Sequence, residues 1–164
     1  MIGNYLSLEL MNKIDFPYTL KIYEEVLDKL KELYNGDQRF EVGGVLLGKI
    51  DVKNGIVSIE KIEEIKSKEV FKLSYIRDNK IAQQVINKSW TDSKGIINYL
   101  GEWHTHPNVN PSPSSTDKTT IMAQTIEKNS KYFPYTILLI IGKSERITVT
   151  IANKGRIILC THIR

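Results

Sequence analysis

Gly101-Glu-Trp-His-Thr-His-Pro-Asn-Val-Asn-Pro-Ser-Pro-Ser-Ser-Thr-Asp117 reads as the end of a strand, a proline-rich loop and the start of a helix. On a strand, successive side chains point to opposite faces, so His104 and His106, two apart, share one. In the helical part, Ser114-x-x-Asp117 is a capping signature, with Ser114 at the N-cap and Asp117 in the first turn. The stiff loop Pro107–Pro113 fixes the separation of the two pieces, which lessens the entropy lost when side chains from both are ordered together. Each piece alone has an ordinary reading: strand histidines are often only hydrogen-bonded, and Ser-x-x-Asp often only caps a helix. Together they offer two imidazoles and a carboxylate with a fourth position open, the donor set of a catalytic zinc. Manganese and iron are the alternatives for such a set.

Outward from this stretch, the pattern alternates strands and helices. Residues 5–10 read as a strand with Leu6, Leu8 and Leu10 on one face. Behind Pro17, Leu20, Tyr23, Leu27, Leu30 and Tyr34 recur at helical spacing, which predicts a helix over 18–34 stopped by Asn35-Gly36. Glu41-Val-Gly-Gly-Val-Leu-Leu-Gly48 is an apolar strand whose internal glycines imply a close approach to its backbone. A turn at Lys53-Asn54-Gly55 leads to a strand at Ile56–Ile65, and another strand is expected at Val70–Tyr75. A helix follows from Asp78 to Trp90, with Ile81, Val85, Ile86 and Trp90 turned inward. Ile96–Thr105 delivers the histidines, and the next helix runs from Ser114 or Ser115 to about Asn129. Three strands close the chain: the apolar run Tyr135–Ile141, then Ile147–Ile151, then Arg156–His162. This order predicts an α/β (mixed α+β) fold over residues 1–164 as a single domain, a mixed β-sheet flanked by about three helices.

Composition narrows the function classes. The chain has 164 residues, 41% apolar and 26% charged, as expected of a soluble globular protein. No apolar run is long enough to span a bilayer, and the N-terminus lacks a secretory signal, so no membrane association and a cytoplasmic location are expected. The lone cysteine, Cys160, excludes an internal disulfide and reads as a small apolar residue of a core strand. His162 reads as structural or exposed. The net charge of +4 is spread along the chain without an arginine-rich block, so nucleic acid is not expected as a partner.

Hydrolytic zinc chemistry also needs a base and a group to hold the developing oxyanion. Glu41, at the start of the glycine-containing strand, is a candidate base. Glu102 is its rival, but it shares the imidazoles' face and could instead orient them. Ser114 is a candidate oxyanion donor.

Taken jointly, Glu41 heading Glu-x-Gly-Gly-x-Leu-x-Gly, then His104-x-His106, seven residues, and Ser114-x-x-Asp117 resemble the signature of JAMM (MPN-type) metalloproteases. The resemblance implies a twisted mixed sheet flanked by helices, similar to the deaminase sandwich. It implies His104, His106 and Asp117 as ligands of Zn2+, Glu41 as the general base that deprotonates the zinc-bound water, and Ser114 as oxyanion stabiliser. Tyr99-Leu-Gly-Glu-Trp-His-Thr-His-Pro, with Trp90 and Gly95 upstream, is most similar to the small prokaryotic branch, encoded beside ubiquitin-like conjugation enzymes, including in the anti-phage CBASS operons. There the resemblance implies an isopeptidase that releases a protein conjugated through its C-terminal tail, a ubiquitin-like protein or a CBASS nucleotidyltransferase. The helix follows the motif directly, without room for the long insertion of chain-selective eukaryotic members, which disfavours linkage-selective cleavage of ubiquitin chains. Two other readings remain open at this level: a non-catalytic MPN module that only binds a partner, and a peptidase acting on a sulfur-carrier precursor or a short peptide.

Overall fold

A computed structural model describes residues 3–9, 14–68, 75–128 and 130–163. The strands are β1 (Tyr5–Leu8), β2 (Thr19–Tyr23), β3 (Gly43–Asp51), β4 (Ile56–Glu64), β5 (Asn98–Thr105), β6 (Tyr135–Ile141), β7 (Ile147–Asn153) and β8 (Arg156–His162). The helices are α1 (Glu24–Tyr34), α2 (Asn79–Asp92) and α3 (Ser115–Lys128). The strands form one sheet in the order β1-β2-β4-β3-β5-β6-β7-β8. It is mixed, as expected: β2/β4 and β5/β6 are parallel and the other neighbours antiparallel.

Alternation sorts the apolar residues onto two faces of this sheet. Leu46 of β3, Ile137 and Leu139 of β6, and Leu20 and Ile22 of β2 pack with Val26, Leu27 and Leu30 of α1. On the other face Val45 and Leu47 meet Ala82, Val85 and Ile86 of α2, while Leu138 and Ile140 meet Ile121 of α3. One helix therefore covers one side and two cover the other, leaving β5, the strand that carries the two histidines, between α2 and α3.

The alternation of β5 is broken once, and the break decides where the histidines point. Leu46 pairs with Gly101 but Leu47 pairs with Tyr99, so Leu100 is an extra residue in the ladder, a β-bulge. Before the bulge, Ile97 and Tyr99 face α2. At and after it, Leu100 and Trp103 lie in the core beneath α1, and Glu102, His104 and His106 line a cavity on the α2/α3 side. With unbroken alternation Tyr99 and Trp103 would share a face. Gly101 makes the shift possible: its φ is +151°, and a Cβ there would stand 1.8 Å from the Ile137 carbonyl oxygen.

Several expectations need correction. The segment predicted as the first turns of a helix at 18–23 is β2, and α1 starts only at Glu24. Leu20 and Ile22 satisfy strand alternation, and pairing with both β1 and β4 outweighs the helical spacing that Leu20, Tyr23 and Leu27 also happen to satisfy. Trp90 and Ile81 of α2 are not inward but 51% and 43% exposed; Ala82 takes the buried position between them. Cys160 is exposed on the edge strand β8, accepting from the Thr150 hydroxyl at 3.5 Å. Its neighbour His162 is exposed too, with Nδ1 2.9 Å from Thr148 Oγ1. The strand expected at Val70–Tyr75 and the Leu10 end of the first strand fall outside the described residues, except Tyr75, which is not in a strand. Among the described residues, no helix is long and apolar enough to cross a membrane.

Substituting Gly101→Ala should destabilise the fold by about 3 kcal/mol or more, because both the backbone angle and the contact with β6 oppose a side chain. Urea unfolding followed by circular dichroism would show the drop in midpoint; an unchanged midpoint would mean the bulge can relax at little cost.

Candidate metal centre

The antiparallel register of β3 against β5 pairs Gly43 with His104. Continued by two residues, it puts Glu41 across from His106. Beyond the ends of the two strands the pairing is held by Val42, whose amide donates to Thr105 Oγ1 at 3.0 Å and whose carbonyl accepts from the Thr105 amide at 2.8 Å. On the other side of β5, the His106 amide donates to the Ile141 carbonyl at 2.8 Å, which starts the proline loop in a defined direction. The loop returns the chain to α3. Ser114 and Asp117 exchange bonds there: the Ser114 amide donates to Asp117 Oδ2 at 2.8 Å and the Asp117 amide to Ser114 Oγ at 3.1 Å. This is the expected cap in reciprocal form.

These elements bring three side chains to one point. His104 Nε2 and His106 Nε2 are 3.2 Å apart. Each stands 3.3 Å from an Asp117 oxygen, His104 from Oδ1 and His106 from Oδ2. Ligand atoms at tetrahedral positions around a zinc with bonds of about 2.0–2.1 Å are separated by roughly 3.3–3.4 Å. The donor set and its spacing fit a zinc ion held on three sides, and His104, His106 and Asp117 are the residues that could hold it. The imidazole of His106 is oriented from behind, with Nδ1 3.0 Å from the Asn110 carbonyl. A proton on Nδ1 leaves the Nε2 lone pair free to ligate. Asp117 spends one oxygen on the Ser114 amide and still presents the carboxylate to both rings, so capping and ligation are compatible.

The electrostatics follow from this crowding. Burial by itself would raise the Asp117 pKa, but the two imidazoles and the Ser114 amide hold the carboxyl well below the usual range. For His106, burial opposes protonation, yet bonding to Asp117 and the Asn110 carbonyl, with Glu41 nearby, leaves its pKa raised. Glu41 lies at the rim, its Oε1 3.9 Å from His106 Nε2 and its Oε2 accepting from the Tyr75 amide at 2.9 Å. Ser114 is exposed, and its Oγ accepts from the Asp117 amide, so its hydroxyl proton remains free to donate.

Glu102 shares the imidazoles' face, as the period of two requires, but it is committed elsewhere. Its Oε1 accepts from the Arg77 guanidinium, from the Tyr99 hydroxyl at 2.6 Å and from Gln124 Nε2 at 3.4 Å. Burial pushes its pKa up to about 7 against the pull of Arg77 and Tyr99. Its other oxygen has no partner among the described residues. Tyr75, Arg77 and Gln124 were invisible in the sequence, because nothing in their local spacing ties them to a strand 22 or more residues away. With Glu41, Glu102 and Ile121 they line a cavity of about 380 Å³ that opens on His104, His106 and Asp117.

The glycines of the Glu41 strand now have an explanation. A Cβ on Gly43 would lie 2.6 Å from the Trp103 carbonyl oxygen and 2.8 Å from the Tyr75 ring. The close approach anticipated from the sequence is made by the backbone of the neighbouring strands and by the Tyr75 ring. It seats Tyr75 beside Glu41.

The model of prokaryotic homologs of the JAB domain matches residues 24–152, which span every element of the site. The chain belongs to that family. Among curated proteins it is similar to a CD-NTase/cGAS isopeptidase of Pseudomonas aeruginosa, 28% identical over 120 residues that cover 73% of this chain and 74% of that one. A protein of the same description from Vibrio cholerae is 35% identical over 79 residues, 44% of this chain and 47% of the relative. Among solved structures, a solution structure from Desulfitobacterium hafniense superposes with a TM-score of 0.57 at 16% identity, covering 85% of this chain and 88% of that one. At that identity the likeness concerns the fold alone.

Because imidazoles must lose their protons to ligate, the raised His106 pKa makes the proton a competitor for a metal. In the metal-free protein His106 should titrate above the ordinary imidazole value of about 6.5, and zinc affinity should fall as pH is lowered through that titration. NMR of the imidazole carbons against pH measures the titration, and a midpoint at or below the ordinary value would contradict the raised pKa.

Proposed function

We propose that this chain is a zinc-dependent isopeptidase that cleaves the bond between the C-terminus of a conjugated protein and the lysine of its target. The observation that carries the reading is the convergence of His104, His106 and Asp117 beside a cavity whose rim holds Glu41. Zinc bound there would supply Lewis acidity, acidifying a water and polarising the scissile carbonyl. Glu41 takes the proton of the attacking water. Its Oε2 is held by the Tyr75 amide, which leaves Oε1, the oxygen nearer His106, for that exchange. The same carboxyl then returns the proton to the departing lysine amine. Ser114 donates its hydroxyl to the carbonyl oxygen as negative charge develops there.

The similarity to proteins described as CD-NTase/cGAS isopeptidases supports a choice of substrate. A nucleotidyltransferase joined through its C-terminal tail is accordingly the leading substrate, and a ubiquitin-like protein joined in the same way is the second. A narrow cavity suits an extended tail better than a folded surface. That tail cannot pair with the metal-bearing strand, because β5 already has β3 on one side and β6 on the other. Its backbone would be recognised within the cavity.

The test uses a tail peptide joined through its C-terminal carboxyl to the ε-amine of a fluorescent lysine. Zinc-loaded protein should release the lysine, and chelation should stop release until zinc is restored. Glu41→Gln should retain zinc but lose about 10²–10⁴-fold in kcat, the contribution of a positioned base. Turnover by a metal-loaded Glu41→Gln protein at the original rate would sink the assigned role. Ser114→Ala should cost roughly 10²-fold in kcat with KM little changed, as expected of a donor used mainly in the transition state.

A further inference from the structure

The residues around Glu102 form a polar cluster that hydrolysis does not itself require. Glu102 lies on β5, 8% exposed, two residues before a metal ligand. Its partner Arg77 belongs to another part of the chain, the segment between β4 and α2. A buried charge pair is costly unless its geometry and further hydrogen bonds compensate. Here Tyr99 and Gln124 add those bonds, and the bulge at Leu100–Gly101 is what brings Tyr99 onto the same face as Glu102. Three residues from two elements, Tyr99 and Glu102 of β5 and Gln124 of α3, are thus spent on fixing one guanidinium.

What that guanidinium holds is the approach to the catalytic carboxylate. Tyr75, two residues before Arg77, donates its amide to Glu41 Oε2 at 2.9 Å. Its ring rests where a Gly43 side chain would be, and its hydroxyl donates to the Ile65 carbonyl at 2.8 Å. Backbone contacts between Ser67 and Arg77, and between the Lys68 amide and the Ile76 carbonyl at 3.0 Å, tie residues 76–77 to residues 67–68. On the sheet side, Arg77 is its attachment to β5. A glutamate has three side-chain torsions, and a carboxylate free to rotate would sample many positions around His106. The Tyr75 amide selects one.

We propose that Arg77 and Glu102 are positioning residues: their ion pair clamps the segment bearing Tyr75 to β5, so that the Tyr75 amide orients Glu41 toward the reacting water. The proposal rests on the isopeptidase reading for its consequence, but the clamp itself is a property of the chain. Neither residue touches the reacting atoms. They act through Tyr75.

The experiment compares Glu102→Leu, Glu102→Gln and Arg77→Met with the unaltered protein, each loaded with zinc to measured stoichiometry. Amide hydrogen exchange at Tyr75, read by NMR, reports the clamp directly, and release of lysine from the fluorescent isopeptide reports its consequence. In Glu102→Leu and Arg77→Met, exchange at Tyr75 should speed up by about tenfold or more while core amides such as Leu139 keep their rates. In the same variants kcat should fall on the order of 10- to 100-fold with KM little changed, the cost of a misplaced base. Glu102→Gln, whose amide oxygen still accepts from Arg77 and Tyr99, should recover most of both losses. Unchanged exchange at Tyr75 in Glu102→Leu would overturn the clamp. Faster exchange with undiminished kcat would overturn its role in orienting Glu41, as would a fall in kcat that Glu102→Gln fails to recover. If the unaltered protein cleaves no isopeptide, the function fails while the exchange rates still decide the clamp.

Discussion

The pairing of β3 with β5 is the constraint on which the site depends. Gly43 opposite His104 is one rung of an antiparallel ladder, yet it places a carboxylate 65 residues upstream of His106 directly across from it. Register in a sheet is all or nothing, because a slip of one residue sends every side chain to the opposite face. Leu46 in the α1 core and Val45 and Leu47 against α2 are what prevent such a slip, since moving them would turn apolar side chains out of both cores at once. The precision of Glu41 is thus secured by hydrophobic burial well away from it. The bulge at Leu100–Gly101 then turns the histidines toward the same side, and α3 adds Asp117 from its first turn.

The donor set was legible in the sequence because its members are close in sequence and stiffly connected. His104 and His106 share a strand, and a loop of seven residues with prolines at 107, 111 and 113 leaves little freedom in where Asp117 can go. Short-range periodicity is sufficient for a site of that kind. The link to Glu41 was legible for a different reason. No spacing argument connects residues 41 and 106, and only the resemblance to a known signature did so. The apolar run Tyr135–Ile141 was legible from its length and β-branched content, and it is the strand buried on both faces.

What escaped the sequence depended on contacts that local patterns do not encode. Leu20 fits a helix with Tyr23 and Leu27 and a strand with Ile22, and the choice was made by β1 and β4, which offered edges to pair with. Trp90 has the spacing of an inward residue, but it lies in the last turn of α2, beyond the part that packs on Val45 and Leu47, so it stays half exposed. Cys160 alternates as a core residue should, on a strand that turns out to be an edge. The Arg77–Glu102 pair is the extreme case. Its presence could be suspected only by asking what neutralises a carboxylate on a buried strand, and the sequence offers 23 cationic side chains as answers.

The geometry of the ligands bears on how a metal would be taken up. His104, His106 and Asp117 already stand at tetrahedral edge distances, with His106 oriented by Asn110 and Asp117 by the Ser114 amide. Groups so arranged satisfy one another by hydrogen bonding, which is why three polar side chains tolerate burial together. Little reorganisation is then needed for the same atoms to turn to a cation, and the entropy of ordering them has been met by the fold. The competing occupant is a proton on His106, favoured by the same Asp117 carboxylate that would bind the metal. A site built this way trades some affinity at low pH for rigidity, which the proposed chemistry would need, because Glu41 could act only if the reacting atoms and its own carboxylate kept a fixed relation. That relation spans two strands, one helix cap and one clamped segment, none of which could hold it alone.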